Sequence, residues 1–338
     1  MALLIKRKRL SFVKASLRAW DRARALFQGA FFVLTNSFAV GWLKGTVYGG
    51  KLKFVCVPGL GCYSCPGAWG SCPIGALQAV LNEFDPKASF RPDGSFVKKP
   101  VYLFAFYVIG GMMMLGAAAG RLVCGFLCPF GFIQDLIYKI PAPKLKAVVS
   151  AKDAKHPKLG SFLLRLDGYA RYLKYAALTV LVLFLPFFAS ADPVFCKYVC
   201  PSGMLFGGIP LMAGNAGLAG QAGDLTLLKL AILASLVIMS LFVARPFCRY
   251  FCPLGAFYAL FNRVSLLRYG VDDGACARCG GCSACRNACP MGVDPVKTPN
   301  SPECIRCGRC GAVCPNKAIS FGIRTKTPNG RGIRVRKQ

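Results

Sequence analysis

Nineteen cysteines make up the part of this chain best suited to chemistry, and two groups of them have spacings that favour metal binding. In residues 276–315 the pattern C-x2-C-x2-C-x3-C-P occurs twice. Its short spacing lets three thiolates and several backbone amides surround one iron–sulfur cubane, and the proline redirects the chain so that the fourth cysteine reaches the other cluster. The pattern therefore predicts two [4Fe–4S] clusters of the bacterial ferredoxin type.

The ligands of these two clusters follow from the pattern. The first three cysteines of each copy hold one cluster, and the last cysteine of the other copy completes it. One cluster is expected on Cys279, Cys282, Cys285 and Cys314, and the other on Cys304, Cys307, Cys310 and Cys289. Cys276 is then left over, as a free thiol or an alternative ligand. A zinc ribbon is the competing explanation, but a zinc site needs four ligands rather than this doubled set.

A second pattern, Cys-Pro-x-Gly, occurs four times, each time beside a long apolar run. The copies begin at Cys72, Cys128, Cys200 and Cys252. The first two are separated by nearly the same number of residues as the last two, which indicates an internal duplication. The proline after each cysteine either breaks a helix or starts a new one. A new helix would point its N-terminal amides at the cysteine sulfur. That arrangement stabilises an anionic cluster.

These cysteines predict further iron–sulfur sites in the apolar part of the chain, since buried thiolates are costly unless a metal neutralises them. An inner site is expected on Cys124, Cys128, Cys248 and Cys252, which form two C-x3-C-P motifs, and an outer site would draw on Cys62, Cys65, Cys72, Cys196 and Cys200. The outer set has more sulfurs than one cubane needs, and Cys56 adds another. Two alternatives stay open: buried free cysteines at helix contacts, and disulfide bonds on an oxidising outer face.

The elements that must position these cysteines are long and apolar. Hydrophobic residues make up 55% of the 338 residues and the mean hydropathy is +0.47, values typical of integral membrane proteins. Four stretches are long enough to cross a hydrocarbon core of about 30 Å. They are Ala25–Leu43, Val101–Gly120, Tyr175–Ala191 and Leu225–Ala244. The sequence thus predicts four spans, the first of them a retained anchor.

The net charge of +30 lies mainly at the ends of these stretches. Eight Lys and Arg residues precede the first stretch, nine lie in 139–174 and sixteen follow Ala244, whereas 192–224 has only Lys197. The positive-inside rule therefore places both termini on the cytoplasmic side, although 44–100, expected outside, carries seven. Nucleic-acid binding is disfavoured, because no nucleic-acid motif accompanies the charge.

Other redox groups are restricted by the composition. The sole histidine is His156, which excludes a bis-histidine haem, and there is no C-x-x-C-H motif for a covalently bound haem. Electrons must therefore enter and leave through the clusters, a partner protein or quinone. Gln134 and Asp135, which follow the second Cys-Pro copy, are candidate quinone contacts, as is Asp192 on the outer side. Each of these residues could instead have a structural role, as a helix cap or as one member of an ion pair.

These features predict an α-helical membrane protein: a four-span bundle built from an internal duplication with half-helices, plus a small α+β ferredoxin domain with two [4Fe–4S] clusters. The expected segments are a cytoplasmic basic N-terminus at 1–24, the duplicated membrane domain at 25–265, the ferredoxin domain at 266–322 and a basic tail at 323–338. The expected location is the cytoplasmic membrane of a bacterium or archaeon, with the ferredoxin domain in the cytoplasm.

The inner motifs Cys-Gly-Phe-Leu-Cys-Pro-Phe-Gly and Cys-Arg-Tyr-Phe-Cys-Pro-Leu-Gly, with the ferredoxin motifs behind them, resemble those of the NapH/MauN/NosR-type family of ferredoxin-type membrane proteins. The resemblance extends over most of the chain from residue 100 onward, in order and spacing. It implies four spans, a cytoplasmic ferredoxin end and electron delivery between the quinol pool and a partner redox enzyme. The chain departs from the simpler NapH pattern by its additional outer cysteines.

The leading functional hypothesis is a membrane-bound iron–sulfur protein that passes electrons between quinol or a cytoplasmic donor and an extracytoplasmic redox partner, as a subunit of a quinol-dehydrogenase type of oxidoreductase. The alternative is an assembly or regulatory reductase that supports maturation of another metalloenzyme. Sustained turnover of a quinol analogue by the complex would argue against that alternative. A small-molecule transporter is disfavoured, because charged residues lie only at the edges of the apolar stretches.

Overall fold

The computed structural model of the chain describes residues 2–82, 101–143, 157–188, 193–220, 222–272, 274–276 and 282–323. Two predicted site residues, Cys279 and Asp192, lie outside these ranges, as does most of the basic tail. The chain divides into two compact units: residues 1–29, 114–126 and 258–338 form the first, and residues 30–113 and 127–257 form the second. The units alternate along the chain, whereas the sequence suggests consecutive segments.

Most helices that lie wholly in the second unit are short. They are Ala39–Lys44, Pro73–Asn82, Pro129–Lys139, Pro157–Ala170, Leu173–Ala176, Leu185–Phe188, Pro201–Gly203, Ile209–Gly214, Ala216–Gly220, Asp224–Phe242 and Pro246–Tyr250. Lys51–Phe54 forms a 3-10 turn, and Ala177–Phe184, Phe195–Val199 and Met204–Gly208 form π-helical turns. Three further helices, Ala2–Thr35, Val101–Ala119 and Pro253–Phe261, contribute residues to both units.

A helix begins at the proline of all four Cys-Pro-x-Gly copies, which is one of the two outcomes that the sequence leaves open. These helices start at Pro73, Pro129, Pro201 and Pro253. Proline suits the first helical position because its ring fixes φ near the helical value. It lacks an N–H, but an N–H at that position would have no acceptor within the helix. Cys128, which precedes the second of these helices, has extended backbone at φ −85° and ψ 113°. The chain therefore turns sharply at the sulfur-bearing residue.

The first unit combines small helices with a two-stranded sheet. Its short helices are Leu122–Phe126, Ala284–Ala288 and Arg309–Ala312, and its antiparallel strands are Leu267–Val271 and Ile319–Ile323. Trp20, in the long N-terminal helix, donates from Nε1 to the carbonyl of Cys307 at 2.7 Å. Asp21 forms an ion pair with Arg309 at 3.1 Å. These contacts fix the N-terminal helix against the ferredoxin motif.

One helix of the described residues, Asp224–Phe242, is long and apolar enough to cross a membrane by itself. Within the helix Val101–Ala119, the stretch Phe106–Ala119 is apolar but shorter. Helix length thus supports one of the four predicted spans. The helix Asp224–Phe242 packs against the half-helix Pro129–Lys139.

The first predicted span, Ala25–Leu43, is interrupted in the structure. The helix that carries its first part ends at Thr35, and a new helix begins at Ala39. The side chains of Thr35 and Asn36 both donate to the carbonyl of Phe32, at 3.3 and 3.0 Å. Such local bonds compete with the helical ladder and favour a helix end, which the apolar composition alone does not reveal.

Candidate metal centres

Four cysteines of the ferredoxin motifs line one cavity in the first unit. The cavity is bounded by Cys289, Cys304, Cys307 and Cys310, and apolar residues such as Met291 complete its wall. These are the four cysteines that the sequence assigns to one cluster. Burial and the neighbouring Cys307 raise the pKa of Cys304 to about 12. Such thiols stay protonated unless a metal takes the place of their protons, so the donor set fits a cubane.

The other ferredoxin site is described in part. Cys282 is exposed, Cys285 and Cys314 are half-buried, and Cys279 lies outside the described residues. Cys285 lies within electrostatic reach of Cys276 and Cys282. The cysteine that the pattern leaves over is therefore beside this site.

Four of the five predicted outer cysteines lie together in the second unit. Cys196 is within electrostatic reach of Cys200, Cys72 and Cys62. Cys200 is likewise near Cys72 and Cys62, and burial together with these neighbours raises its pKa to about 12. Thiolates this close repel each other in buried surroundings, so a bound metal is what makes the deprotonated group stable.

Cys65 and Cys56 have different surroundings from these four. Cys65 lies near Cys62, but its buried thiol donates to Oδ1 of Asn36 at 3.5 Å. Cys56 is a half-buried neighbour of Cys72. The contacts thus distinguish Cys62 from Cys65, which the spacing leaves undecided.

Glycines leave room between the two halves at the outer cysteines. A Cβ at Gly75 would lie 3.8 Å from the sulfur of Cys196, and one at Gly203 would lie 3.9 Å from the sulfur of Cys62. Each glycine belongs to the Cys-Pro-x-Gly copy of one half and faces a cysteine of the other half. A residue without a side chain therefore keeps open the space that an inorganic core needs.

The glycine amide donates to the sulfur three residues earlier in two Cys-Pro-x-Gly copies. The distances are 3.4 Å at Cys128 and 3.3 Å at Cys252. At Cys72 and Cys200 the amides of Gly75 and Gly203 lie near the sulfur and favour its thiolate, and the Cys200 side chain forms no cap bond. These amides belong to the first turn of a helix, whose dipole also favours negative charge. Each sulfur is therefore prepared to act as a thiolate.

The predicted inner cysteines are divided between the units. Cys124 belongs to the first unit, and Cys128, Cys248 and Cys252 are buried in the second. Within the second unit, Arg245 lies within electrostatic reach of both Cys128 and Cys248. Cysteines from both halves of the duplication therefore approach one buried cation.

Asp135, a candidate quinone contact from the sequence, forms an ion pair with that cation. Its two oxygens accept from Nε and Nη2 of Arg245 at 2.8 and 2.6 Å. Arg245 is fully buried. An isolated buried charge is very costly, so the carboxylate is needed to keep the guanidinium in place. The ion pair that the sequence leaves open as an alternative is present.

Gln134, the other inner candidate, is also engaged within the protein. Its side chain is 3% exposed. Its oxygen accepts from the amide of Phe247 at 3.2 Å, and its nitrogen lies 3.4 Å from the sulfur of Cys248. The structure thus places Gln134 against an inner cysteine.

The inner and outer cysteines approach each other within the second unit. Gly59 lies three residues before Cys62, and a Cβ there would lie 2.9 Å from Cα of Cys128. The rings of Phe130 and Phe206, which follow Cys-Pro copies of the two sets, are 6.5 Å apart. The two sets therefore do not lie at opposite ends of a full-length span, as inner and outer positions suggest. The half-helices bring them together.

In the first unit, the segment that carries Cys124 packs against the ferredoxin loop. A Cβ on Gly125 would collide with the carbonyl oxygen of Ile305, and it would lie 3.6 Å from Cα of Cys307. Arg121 donates to the carbonyl of Pro302 at 2.8 Å. The loop that carries Cys304 and Cys307, two of the cysteines that line the ferredoxin cavity, is therefore in direct contact with this segment.

Arg306 fixes this contact from the ferredoxin side. It lies between Cys304 and Cys307 and is 1% exposed. Its guanidinium donates to the carbonyls of Ala119 and Asn262 at 2.8 and 2.9 Å. Burial lowers its pKa to about 10, so it stays charged at neutral pH.

No three His, Cys, Asp or Glu side chains of the described residues converge on a single metal ion, and every described cysteine is free of disulfide bonds. A cubane binds each thiolate through a different iron atom, so its cysteines are spaced more widely than ligands of one ion. The fit to a cluster rests on the amide donors, the glycine spaces and the shared cavity.

A family profile described as a 4Fe-4S binding domain matches residues 100–147, 174–215 and 225–271. Each matched range contains one C-x3-C-P motif, and the three motifs begin at Cys124, Cys196 and Cys248. The second cysteine of each matched motif directly precedes the proline at which a helix begins.

Similarity to known proteins extends over more of the chain. The chain is 31% identical over 217 residues to the uncharacterized protein MJ0750 of Methanocaldococcus jannaschii, which covers 64% of this chain and 77% of that protein. It is 26% identical over 316 residues to the ferredoxin-type protein NapH of Haemophilus influenzae, with 90% and 89% covered. For the methylamine utilization ferredoxin-type protein MauN of Methylobacillus flagellatus, the identity is 26% over 231 residues, 66% of each chain. The chain belongs to the NapH/MauN/NosR-type family of ferredoxin-type proteins.

As a member of the NapH/MauN/NosR-type family, the chain is a ferredoxin-type iron–sulfur protein with a role in electron transfer. No solved structure matches it.

Asp167, which no motif of this NapH/MauN/NosR-type chain points to, supports the inner cysteines. Asp167 accepts from Nη2 of Arg249 at 2.5 Å and from the hydroxyl of Tyr250 at 2.6 Å. Both donors lie between Cys248 and Cys252. Although burial alone favours the neutral acid, these two donors hold the pKa of Asp167 below its ordinary value. Two polar residues inside an otherwise apolar cysteine motif are the signal that points to such a partner.

Proposed function

We propose that this chain is a membrane-bound iron–sulfur protein that relays electrons between quinol or a cytoplasmic donor and an extracytoplasmic redox partner. One observation carries the proposal. The Cys124 segment packs directly on the loop Cys304–Cys307, which lines the ferredoxin cavity. Arg306 is buried in that contact, which supports a ferredoxin domain that packs on the Cys124 segment rather than one attached only by a linker.

The proposed ligand sets refine those expected from the sequence. The ferredoxin domain would hold its two clusters as the cysteine pattern assigns them, and the inner site would use Cys124, Cys128, Cys248 and Cys252. The outer site would use Cys62, Cys72, Cys196 and Cys200, because these four are mutual neighbours. Cys65 would remain a free thiol bonded to Asn36.

Two contacts support a proposed order for the relay. The ferredoxin cluster on Cys289, Cys304, Cys307 and Cys310 would exchange electrons with the inner site through the Gly125–Ile305 contact. The inner site would exchange electrons with the outer site, whose Cys62 loop touches Cys128. When bound, the clusters supply one-electron redox chemistry, while this chain's residues hold them close together and away from water.

Membrane insertion with both termini in the cytoplasm is part of the proposal. The helix Asp224–Phe242 supports it, because its length and composition suit a span and most of its surface is exposed. Leu34, Phe106 and Leu183 also expose large apolar side chains on other helices. Lipid is the medium in which such surfaces are stable. Because Gln134 and Asp135 already bond inside the protein, quinol would bind elsewhere, with Asp192 the remaining candidate.

The proposal is tested by a redox titration of the purified protein, followed by EPR, with iron and sulfide analysis. Wild-type protein should show cubane signals beyond the two of the ferredoxin domain. Cys248→Ser should remove one signal and Cys72→Ser a different one, while the ferredoxin signals persist. Iron sufficient for only two cubanes would contradict the proposal.

The relay is tested separately by the rate at which electrons from the ferredoxin clusters reach the inner site. Gly125→Ala should slow this transfer, because the new Cβ forces the Cys124 segment away from Ile305. Gly110→Ala is the matched control, since nothing lies within 4 Å of a Cβ at that position. Equal rates in the two variants would show that the contact is not on the path.

A further inference from the structure

Two glutamines occupy the same position after the two Cys-Pro-x-Gly cysteines of the first half. Gln78 lies six residues after Cys72, and Gln134 lies six residues after Cys128. The helices that carry them begin at the proline directly after each cysteine. Both side chains therefore project from the second turn of a half-helix, and both are buried, at 0% and 3% exposure.

Both glutamines bond to a motif of the second half at or next to its first cysteine. The oxygen of Gln78 accepts from the amide of Cys196 at 3.2 Å. The oxygen of Gln134 accepts from the amide of Phe247, the residue before Cys248, also at 3.2 Å. Cys196 and Cys248 are each the first cysteine of a C-x3-C-P motif. Each glutamine thus connects a half-helix of the first half to a metal-binding turn of the second half.

The nitrogen atoms of the two side chains have different partners. Nε2 of Gln78 donates to the carbonyl of Leu181 at 3.0 Å. Nε2 of Gln134 instead donates to the sulfur of Cys248 at 3.4 Å, and it shares the carbonyl of Phe130 at the same distance. The orientation of each amide is fixed, because a backbone N–H must face the oxygen and not another donor.

We propose that Gln134 is a positioning residue that also sets the reduction potential of the inner cluster through its N–H···S bond, whereas Gln78 only positions. This inference rests on the proposed inner cluster. A donor to a ligating sulfur stabilises the added negative charge of the reduced state, so it raises the potential. The two glutamines match in helix position and burial, and each oxygen accepts from a backbone amide at or next to the first cysteine of a C-x3-C-P motif. The bond to sulfur is what distinguishes Gln134 from Gln78.

Two variants with the same chemical change test this inference. Gln134→Glu keeps the oxygen that faces Phe247 and removes the N–H that faces sulfur. It should weaken the preference of the inner cluster for its reduced form about tenfold, which lowers a one-electron midpoint potential by about 59 mV. Gln78→Glu makes the same replacement away from the inner sulfurs, and the inner potential should not move.

The outcomes separate the inference from the function on which it rests. If wild-type protein lacks the EPR signal that depends on Cys128 and Cys248, the proposed function fails and the inference with it. If that signal is present but Gln134→Glu leaves its midpoint unchanged, or Gln78→Glu shifts it equally, the inference alone is overturned.

A measurement on wild-type protein covers the case in which Gln134→Glu holds no inner cluster. Protein whose glutamine side chains carry 15N should show a nitrogen hyperfine coupling to the reduced inner cluster, and Gln78→Glu should retain it. Absence of that coupling in the loaded wild-type protein would also overturn the inference.

Discussion

Around the inner cysteines, two positive side chains pair with their own acids: buried Arg245 with Asp135, and half-buried Arg249 with Asp167. Around the outer cysteines, the buried cation is Lys53, which donates to the carbonyl of Ala68. In both places a helix begins at the proline directly after the cysteine. The comparison teaches that the Cys-Pro-x-Gly unit prepares the sulfur, whereas its neighbours decide how much charge each site tolerates.

The largest difference between the two regions should appear when the acid of the inner pair is removed. Asp135→Asn leaves Arg245 buried without its counter-charge, which costs about 3–5 kcal/mol of unfolding free energy. Denaturant unfolding in detergent measures this, and iron analysis should show loss of the inner cluster with the outer one retained. Asp224→Asn, the same change at a helix start, is the control. Equal stability of the two variants would contradict the role of the pair.

A substitution beside the outer cysteines should affect the outer cluster and leave the inner one intact. In Gly207→Ala the new Cβ would lie 3.2 Å from the sulfur of Cys62 and 3.3 Å from the carbonyl oxygen of Ser64, so the sulfur must shift. Crowding of this kind costs about 1–3 kcal/mol. The outer EPR signal should weaken while the inner one persists. Gly217→Ala, where nothing lies within 4 Å, should retain both, and a loss of the inner signal in Gly207→Ala would break the comparison.

A smaller effect on the inner region is expected at Asp167. Asp167→Asn weakens the bonds to Arg249 and Tyr250 and should cost about 1–2 kcal/mol at neutral pH, since the carboxylate is partly exposed. Its pKa is lower in the folded state than in the unfolded one. Its stabilisation is therefore complete above the unfolded value and is lost as pH falls through the folded value. Unfolding curves of the two proteins should converge below about pH 4; a constant gap would exclude this carboxylate as the cause.

The smallest expected effect sharpens the ligand set of the outer region. Cys65→Ser should leave iron content and every EPR signal unchanged, because Cys65 bonds to Asn36. Cys62→Ser, three residues earlier, should remove the outer signal. The pair is measured side by side on protein prepared in the same way. Loss of the same signal in both variants would return Cys65 to the ligand set.

The features that the sequence predicts well are those set by local chemistry. Proline after cysteine determines where four helices begin, and the ferredoxin spacing identifies the cysteines that share a cavity. The sequence does not separate Cys62 from Cys65, because both lie in a loop and the distinction depends on Cys196 and Cys200, more than a hundred residues away. The helix end at Thr35 is also missed, since two side-chain bonds decide it within an apolar run.

Long-range partners explain the remaining differences. Gln134 and Asp135 look like surface groups near a metal site, and their inward bonds depend on a turn of the second half that no local pattern encodes. The packing of Gly125 on Ile305 has the same origin. Duplication makes two halves visible in the sequence, but only folding shows which residue of one half meets which residue of the other.

The hydrogen bond from Trp20 to the carbonyl of Cys307 joins residues 287 positions apart, and the Trp20 ring occupies the space beside Gly308. The pocket of the proposed cluster is thus finished by two pieces of chain that leave the ribosome at very different times. Insertion of iron and sulfide into that proposed site must wait until translation has passed Cys310. The proposed cluster therefore implies a fixed order of biogenesis, in which the N-terminal helix is made first and the cluster is inserted late.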